Sequence, residues 1–104
     1  MSTLERLETT IAQRAGASPD ASYVAKLNAK GLPKIAQKVG EEATETVIAA
    51  VSGSDEELVG ESADLMFHLL DLLQAKGVAF ADVLGELDRR EGLSGLEEKA
   101  SRSE

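Results

Sequence analysis

Apolar positions recur at helical spacing along most of the chain. Leu4, Leu7, Ile11 and Ala15 predict an amphipathic helix over 3–15 that ends near Gly16. Ser18–Pro19 has the chemistry of an N-cap followed by proline at the first helical position. A short second helix is therefore expected around 19–30, carrying Tyr23, Val24 and Leu27 and stopping at Gly31. Pro33 opens a third helix that reaches about Val51. At about 100° per residue, its Leu32, Ile35, Ala36, Val39, Ala43, Val47 and Ala50 share one arc. Lys34, Lys38, Glu41 and Glu45 lie opposite, and Glu42 sits at the border of the apolar arc.

Ser52-Gly53-Ser54 is a turn signal, and Ser54 with Glu57 makes a capping box that starts a fourth helix. That helix runs to Lys76, with Gly77 as its stop. Its apolar arc is Leu58, Leu65, Met66, Leu69, Leu72 and Leu73; Glu57, Glu61, Asp64, His68 and Asp71 form a polar stripe. Phe80, Val83, Leu84 and Leu87 predict a fifth helix over 80–90, closed by Arg89 and Arg90, where cations suit the helix dipole. After Gly92 the chain turns polar. The expectation is an all-α bundle of four to five helices in one domain, 1–92, with a polar tail, 93–104.

Composition sharpens this picture. Apolar residues make up 42% of the chain and aromatics only 3%, so the core is built from Leu, Val, Ile and Ala. A chain of 104 residues buries a modest core by itself, which favours oligomerisation. The net charge of −8 argues against binding to nucleic acid or to an anionic membrane. There is no cysteine, no N-terminal apolar segment and no run long enough to span a membrane, so a cytoplasmic protein is expected.

The candidate chemistry lies on the third and fourth helices. Glu41-Glu42-x-x-Glu45 and Glu61-x-x-Asp64 are separated by fifteen residues. Residues three apart on a helix share a face, so each cluster is a two-carboxylate claw, and a hairpin brings the claws together. Two like charges about 4 Å apart repel by roughly 4 kcal/mol at an effective dielectric of about 20. Hard cations relieve that repulsion, and Mg²⁺ takes oxygen ligands while keeping waters for a phosphate substrate.

The plainer interpretation is a solvated helix face with Lys–Glu pairs. Three details argue against it. Lys34 and Lys38 precede the glutamates, the weaker order for such pairs. Glu41 and Glu45 are like charges four apart, as are Glu57 and Glu61. Glu42 and Glu61 also border apolar arcs, where an unpaired carboxylate is partly desolvated. Lys34 and Lys38 are then candidate phosphate contacts. His68 is either bonded to Asp64 or Asp71 or a substrate contact, and Tyr23 belongs to a core or interface.

These residues carry a resemblance. The two acidic claws on paired helices resemble the all-α nucleoside triphosphate pyrophosphohydrolase superfamily, to which MazG-like enzymes and dimeric dUTPases belong. More of the chain is similar to the phosphoribosyl-ATP pyrophosphohydrolase family of histidine biosynthesis. The matching segments are Ser22-Tyr23-Val24, Gly31-Leu32-x-Lys34-Ile35, Lys38-Val39-Gly40-Glu41-Glu42-Ala43-x-Glu45, Glu61-x-x-Asp64-Leu65-x-x-His68, and Arg90-Glu91-Gly92-x-Ser94-Gly95-x-x-Glu98-Lys99-Ala100. The resemblance implies Mg²⁺-dependent hydrolysis of phosphoribosyl-ATP to phosphoribosyl-AMP and pyrophosphate by a helical dimer. It also implies metal ligation by Glu42, Glu45, Glu61 and Asp64, with Glu41 beside the metal or orienting water. A house-cleaning triphosphate pyrophosphohydrolase and a non-catalytic helical adaptor are the competing readings.

Overall fold

Ser2 and Glu5 start the first helix by exchanging hydrogen bonds. The Glu5 amide donates to Ser2 Oγ at 3.2 Å, and the Ser2 amide donates to Glu5 Oε1 at 3.4 Å. In the computed structural model, which describes residues 1–91, this helix is α1 (Thr3–Ala15). It is followed by α2 (Tyr23–Asn28), α3 (Leu32–Ser52), α4 (Asp55–Lys76) and α5 (Phe80–Arg90). The described residues contain no strand, and the all-α expectation holds. None of the described helices is long and apolar enough to cross a membrane. The expected tail, 93–104, lies outside the described residues.

The second helix begins later than its sequence suggests. Ser18 closes a turn instead: its carbonyl accepts from the Ala21 amide at 2.9 Å and its hydroxyl from the Asp20 amide at 3.3 Å. Ser22, in extended conformation, is the cap that starts α2, accepting from the Ala25 amide at 3.2 Å. Ser22 is followed by Val24, Ala25 and Leu27, all buried, so the helix starts where its apolar face meets the core.

α3 and α4 form the central hairpin, with the most extensive contact between any two helices. Gly53 makes its turn possible, because a Cβ there would lie 3.0 Å from the Ala49 carbonyl oxygen and 3.2 Å from Glu57 Oε2. Ser54 and Glu57 form the expected capping box, with the Glu57 amide donating to Ser54 Oγ at 3.1 Å. α4 closes at Gly77, where the Val78 amide returns to the Leu73 carbonyl at 2.9 Å. α5 has no side-chain cap of its own. Glu8 of α1 supplies one across the fold, accepting from the Phe80 amide at 2.8 Å.

The core lies where α1 and α2 meet the C-terminal half of α4 and the start of α5. Ile11, Val24, Leu70 and Phe80 are its buried members, flanked by Leu4, Leu7, Ala15, Phe67, Leu73 and Val83. The wheel of α3 is turned away from the simplest expectation. Ile35, Glu42 and Ala49 are its buried residues, so the helix presents the border of its apolar arc to α4. Much of the arc itself stays exposed, including Leu32, Ala36, Val47 and Ala50. Val47 is 61% exposed, with Val51 at 79% and Val59 of α4 at 70%. On α4, Leu70, His68 and Asp71 are the buried residues, whereas Leu65, Leu69 and Leu72 are only half-buried. Both helices therefore have apolar surface left over once the core is filled.

Candidate active site

Three carboxylates converge in the α3–α4 hairpin. Glu42, Glu45 and Glu61 each offer an oxygen, and these oxygens lie within 4.8 Å of one another. The hairpin register is held behind them by Thr46. Its hydroxyl lies 2.7 Å from the Glu42 carbonyl and 3.2 Å from the Glu61 carbonyl, so one proton ties the two acid-bearing backbones together. Nothing in the sequence marks Thr46, whose role depends on the register of a partner helix.

The surroundings of the acids are only partly polar. Glu42 is buried, Glu61 half-buried and Glu45 exposed. Glu42 Oε2 and Glu61 Oε2 are buried and have no hydrogen-bond partner. A buried carboxylate oxygen without a partner is costly, and two of them in one set of three acids fit a hard cation. Asp64 stands apart: it is exposed and lies outside the set of three, and its backbone carbonyl, rather than its carboxylate, is the group engaged by His68. Glu41 is half-buried at the edge, 3.5 Å from the Gln37 amide nitrogen.

Lys38 reaches the acids from one turn earlier. Its Nζ is 3.5 Å from Glu42 Oε1 and 4.0 Å from Glu41 Oε1. Partial desolvation works against its charge, but Tyr23, Glu41 and Glu42 together raise its pKa above the ordinary lysine value. It therefore stays a cation at the site. Lys34 lines the same cleft as Lys38, Tyr23 and Glu41.

His68 is buried against this cleft. The Asp64 carbonyl, 2.9 Å from Nδ1, can only accept, so Nδ1 carries a proton. In the neutral ring Nε2 then accepts from the Tyr23 hydroxyl at 3.0 Å. The ring also packs edge-on against Phe67, with centroids 5.2 Å apart. His68 is thus bonded to Asp64, as one of its two readings had it, but through the backbone and with Tyr23 as second partner.

Behind it lies Asp71, with no exposed surface. The Asn28 amide, turned so that its nitrogen faces the carboxylate, donates to both Asp71 oxygens at 3.1 and 2.9 Å and to the Val24 carbonyl at 3.2 Å. Burial raises the Asp71 pKa, while the Asn28 bond and the nearby His68 oppose the rise. A raised carboxyl pKa contributes stability that is complete below the unfolded value of 3.8 and is lost as pH rises through the folded value. Asp71→Asn removes that loss. The thermal midpoint of the variant relative to the parent is expected to climb as the pH rises above about 4. A melting series over rising pH checks it.

Arg89 and Arg90 at the end of α5 bind Glu86. Arg89 donates to both Glu86 oxygens at 2.8 Å and Arg90 Nε donates at 3.0 Å. Those bonds, Arg89 first, lower the Glu86 pKa to about 2.

A family profile described as phosphoribosyl-ATP pyrophosphohydrolase matches residues 4–91. A protein of Erythrobacter litoralis named phosphoribosyl-ATP pyrophosphatase is 75% identical over 104 residues, the whole of both chains. One of the same name from Novosphingobium aromaticivorans is 72% identical over 100 residues, covering 96% of this chain and 94% of the relative. Another, from Rhizorhabdus wittichii, is 66% identical over the same shares of each. The chain belongs to the phosphoribosyl-ATP pyrophosphohydrolase family.

Proposed function

We propose that this chain hydrolyses phosphoribosyl-ATP to phosphoribosyl-AMP and pyrophosphate, the second step of histidine biosynthesis, at the α3–α4 carboxylates with Mg²⁺. The observation that carries the metal site is the pair of buried, unpartnered oxygens on Glu42 and Glu61, in a set of three acids within 4.8 Å. The residues that would hold the ion are Glu42, Glu45 and Glu61, with Asp64 one turn beyond Glu61. Mg²⁺ bound there would neutralise phosphate charge and make a water more acidic.

The rest of the chemistry belongs to the chain's own residues. Hydrolysis breaks one phosphoanhydride bond and adds water across it, so negative charge builds on the departing pyrophosphate. Lys38, kept protonated by its neighbours, offsets that charge, and Lys34 holds a phosphate beside it. Glu41, at the edge of the site, orients the water. Tyr23 and His68 brace each other and fix the wall of the cleft.

The leftover apolar surface of α3 and α4 supports a homodimer, with Val47, Val51 and Val59 turned toward a second copy. A biosynthetic enzyme acting on a free nucleotide fits the cytoplasm. The test is pyrophosphate release from phosphoribosyl-ATP, beside ATP and dUTP, with and without Mg²⁺. Mg²⁺-dependent release from phosphoribosyl-ATP alone is expected. Release only from the simple triphosphates would instead make the chain a house-cleaning enzyme.

A further inference from the structure

Four of the chain's six lysines, Lys26, Lys30, Lys34 and Lys38, line one cleft between α2 and the start of α3. In a chain of net charge −8 this is a concentrated basic surface. The turn at Gly31, whose φ of 96° suits glycine, carries the chain from α2 into α3 and sets Lys26 and Lys30 beside Lys34. Lys38 is paired with Glu41 and Glu42, but Lys26, Lys30 and Lys34 have no carboxylate partner among the described residues. The start of α3 adds to the same field. It has no side-chain cap and no acid in its first turn, so its positive dipole end is uncompensated.

Like charges gathered without counter-charges are unfavourable unless an anion joins them. The cleft holds about 270 Å³, short of the roughly 300–1,000 Å³ of a site that encloses a whole drug-sized ligand. It is therefore sized for one arm of a larger molecule. Along α3 the polar edge runs from Lys34 and Lys38 to Glu41, Glu42 and Glu45, and a separate cleft lined by Glu45, Glu57 and Glu61 lies at the acidic end. From Lys34 to Glu45 the helix rises ~16 Å, at about 1.5 Å per residue. A ligand lying along this edge meets cations at one end and carboxylates at the other.

We propose that Lys26 and Lys30 form a second anion subsite that binds the phosphomonoester of the substrate's phosphoribosyl arm, while the polyphosphate goes to Lys34, Lys38 and the acids. This inference rests on the substrate proposed above. The subsite distinguishes a nucleotide carrying a second phosphorylated ribose from a simple triphosphate, which leaves Lys26 and Lys30 unoccupied. It selects substrate by charge at the end away from the bond that breaks.

The experiment pairs two readouts on the parent chain, K26Q/K30Q and the charge-keeping K26R/K30R. In turnover of phosphoribosyl-ATP, K26Q/K30Q raises KM roughly tenfold or more with kcat largely kept, and K26R/K30R restores most of the loss. Ribose 5-phosphate is titrated separately, without Mg²⁺, by calorimetry. It binds the parent, and K26Q/K30Q weakens that binding by a similar factor. An unchanged KM, or equal ribose 5-phosphate affinity in parent and K26Q/K30Q, would overturn the subsite. Absence of phosphoribosyl-ATP turnover in the parent would defeat the proposed function instead, and the ribose 5-phosphate titration would still decide the subsite. All these lysines lie at the surface of the cleft, and circular dichroism checks that the variants are folded.

Discussion

Glu42→Gln is expected to lower Mg²⁺-dependent turnover by about three orders of magnitude, equivalent to about 4 kcal/mol of transition-state stabilisation, while leaving the fold intact. The shape of the side chain is kept and one charge is removed. Glu42 is buried, one of its oxygens has no partner, and the other faces Lys38 at 3.5 Å. Its carboxylate shares a space 4.8 Å across with those of Glu45 and Glu61. Like charges at that separation repel by roughly 3 kcal/mol at an effective dielectric of about 20. Losing the Lys38 pair offsets part of the relief. Without metal the variant should therefore melt no lower than the parent. Pyrophosphate release and a thermal melt, run on the same preparation, check both halves. Collapse of activity together with collapse of the fold would mean that Glu42 is structural. Retained activity would mean that it holds no metal.

Val47→Asp carries the second large effect, on assembly. Val47 lies on the α3 arc that the core leaves exposed, and an isolated helical pair with this much bare apolar surface is a poor end state in water. In a twofold dimer the new charge enters the interface twice. Burying an unpaired carboxylate costs about 3 kcal/mol or more, so the dimer Kd is expected to rise roughly 100-fold or more. Sedimentation over a range of concentrations reads the mass directly. The thermal midpoint should fall too, because a partner that binds only the folded chain stabilises it. A parent that sediments as a monomer would refute the dimer, and a variant that sediments as a dimeric parent does would take Val47 out of its interface.

Much of this fold can be read from local chemistry. The starts of α1 and α4 carry capping boxes, and α4 ends in glycine, so those boundaries follow from residues within a few positions of each other. The acid cluster is legible for the same reason, since helical spacing puts Glu42 and Glu45 on one edge and a short turn at Gly53 folds Glu61 back onto them. What escapes the sequence depends on contacts between distant segments. Asp71 looks like part of a solvated stripe, yet Asn28, from another helix, lets it be buried. The cap of α5 comes from Glu8, far back in the chain. The rotation of α3, which hides Glu42 and bares Val47, is set by its packing against α4. The spacing E-x-x-D equally does not show that Asp64 is exposed while Glu61 is half-buried.

The most direct test of the metal site is binding of Mn²⁺, a paramagnetic stand-in for Mg²⁺, followed by the loss of the free-ion resonance signal. The parent chain should take up Mn²⁺, Mg²⁺ should displace it, and Glu61→Gln should abolish most of the uptake without unfolding the protein. Equal Mn²⁺ uptake by the parent and Glu61→Gln, or none by either, would contradict a cation site at Glu42, Glu45 and Glu61.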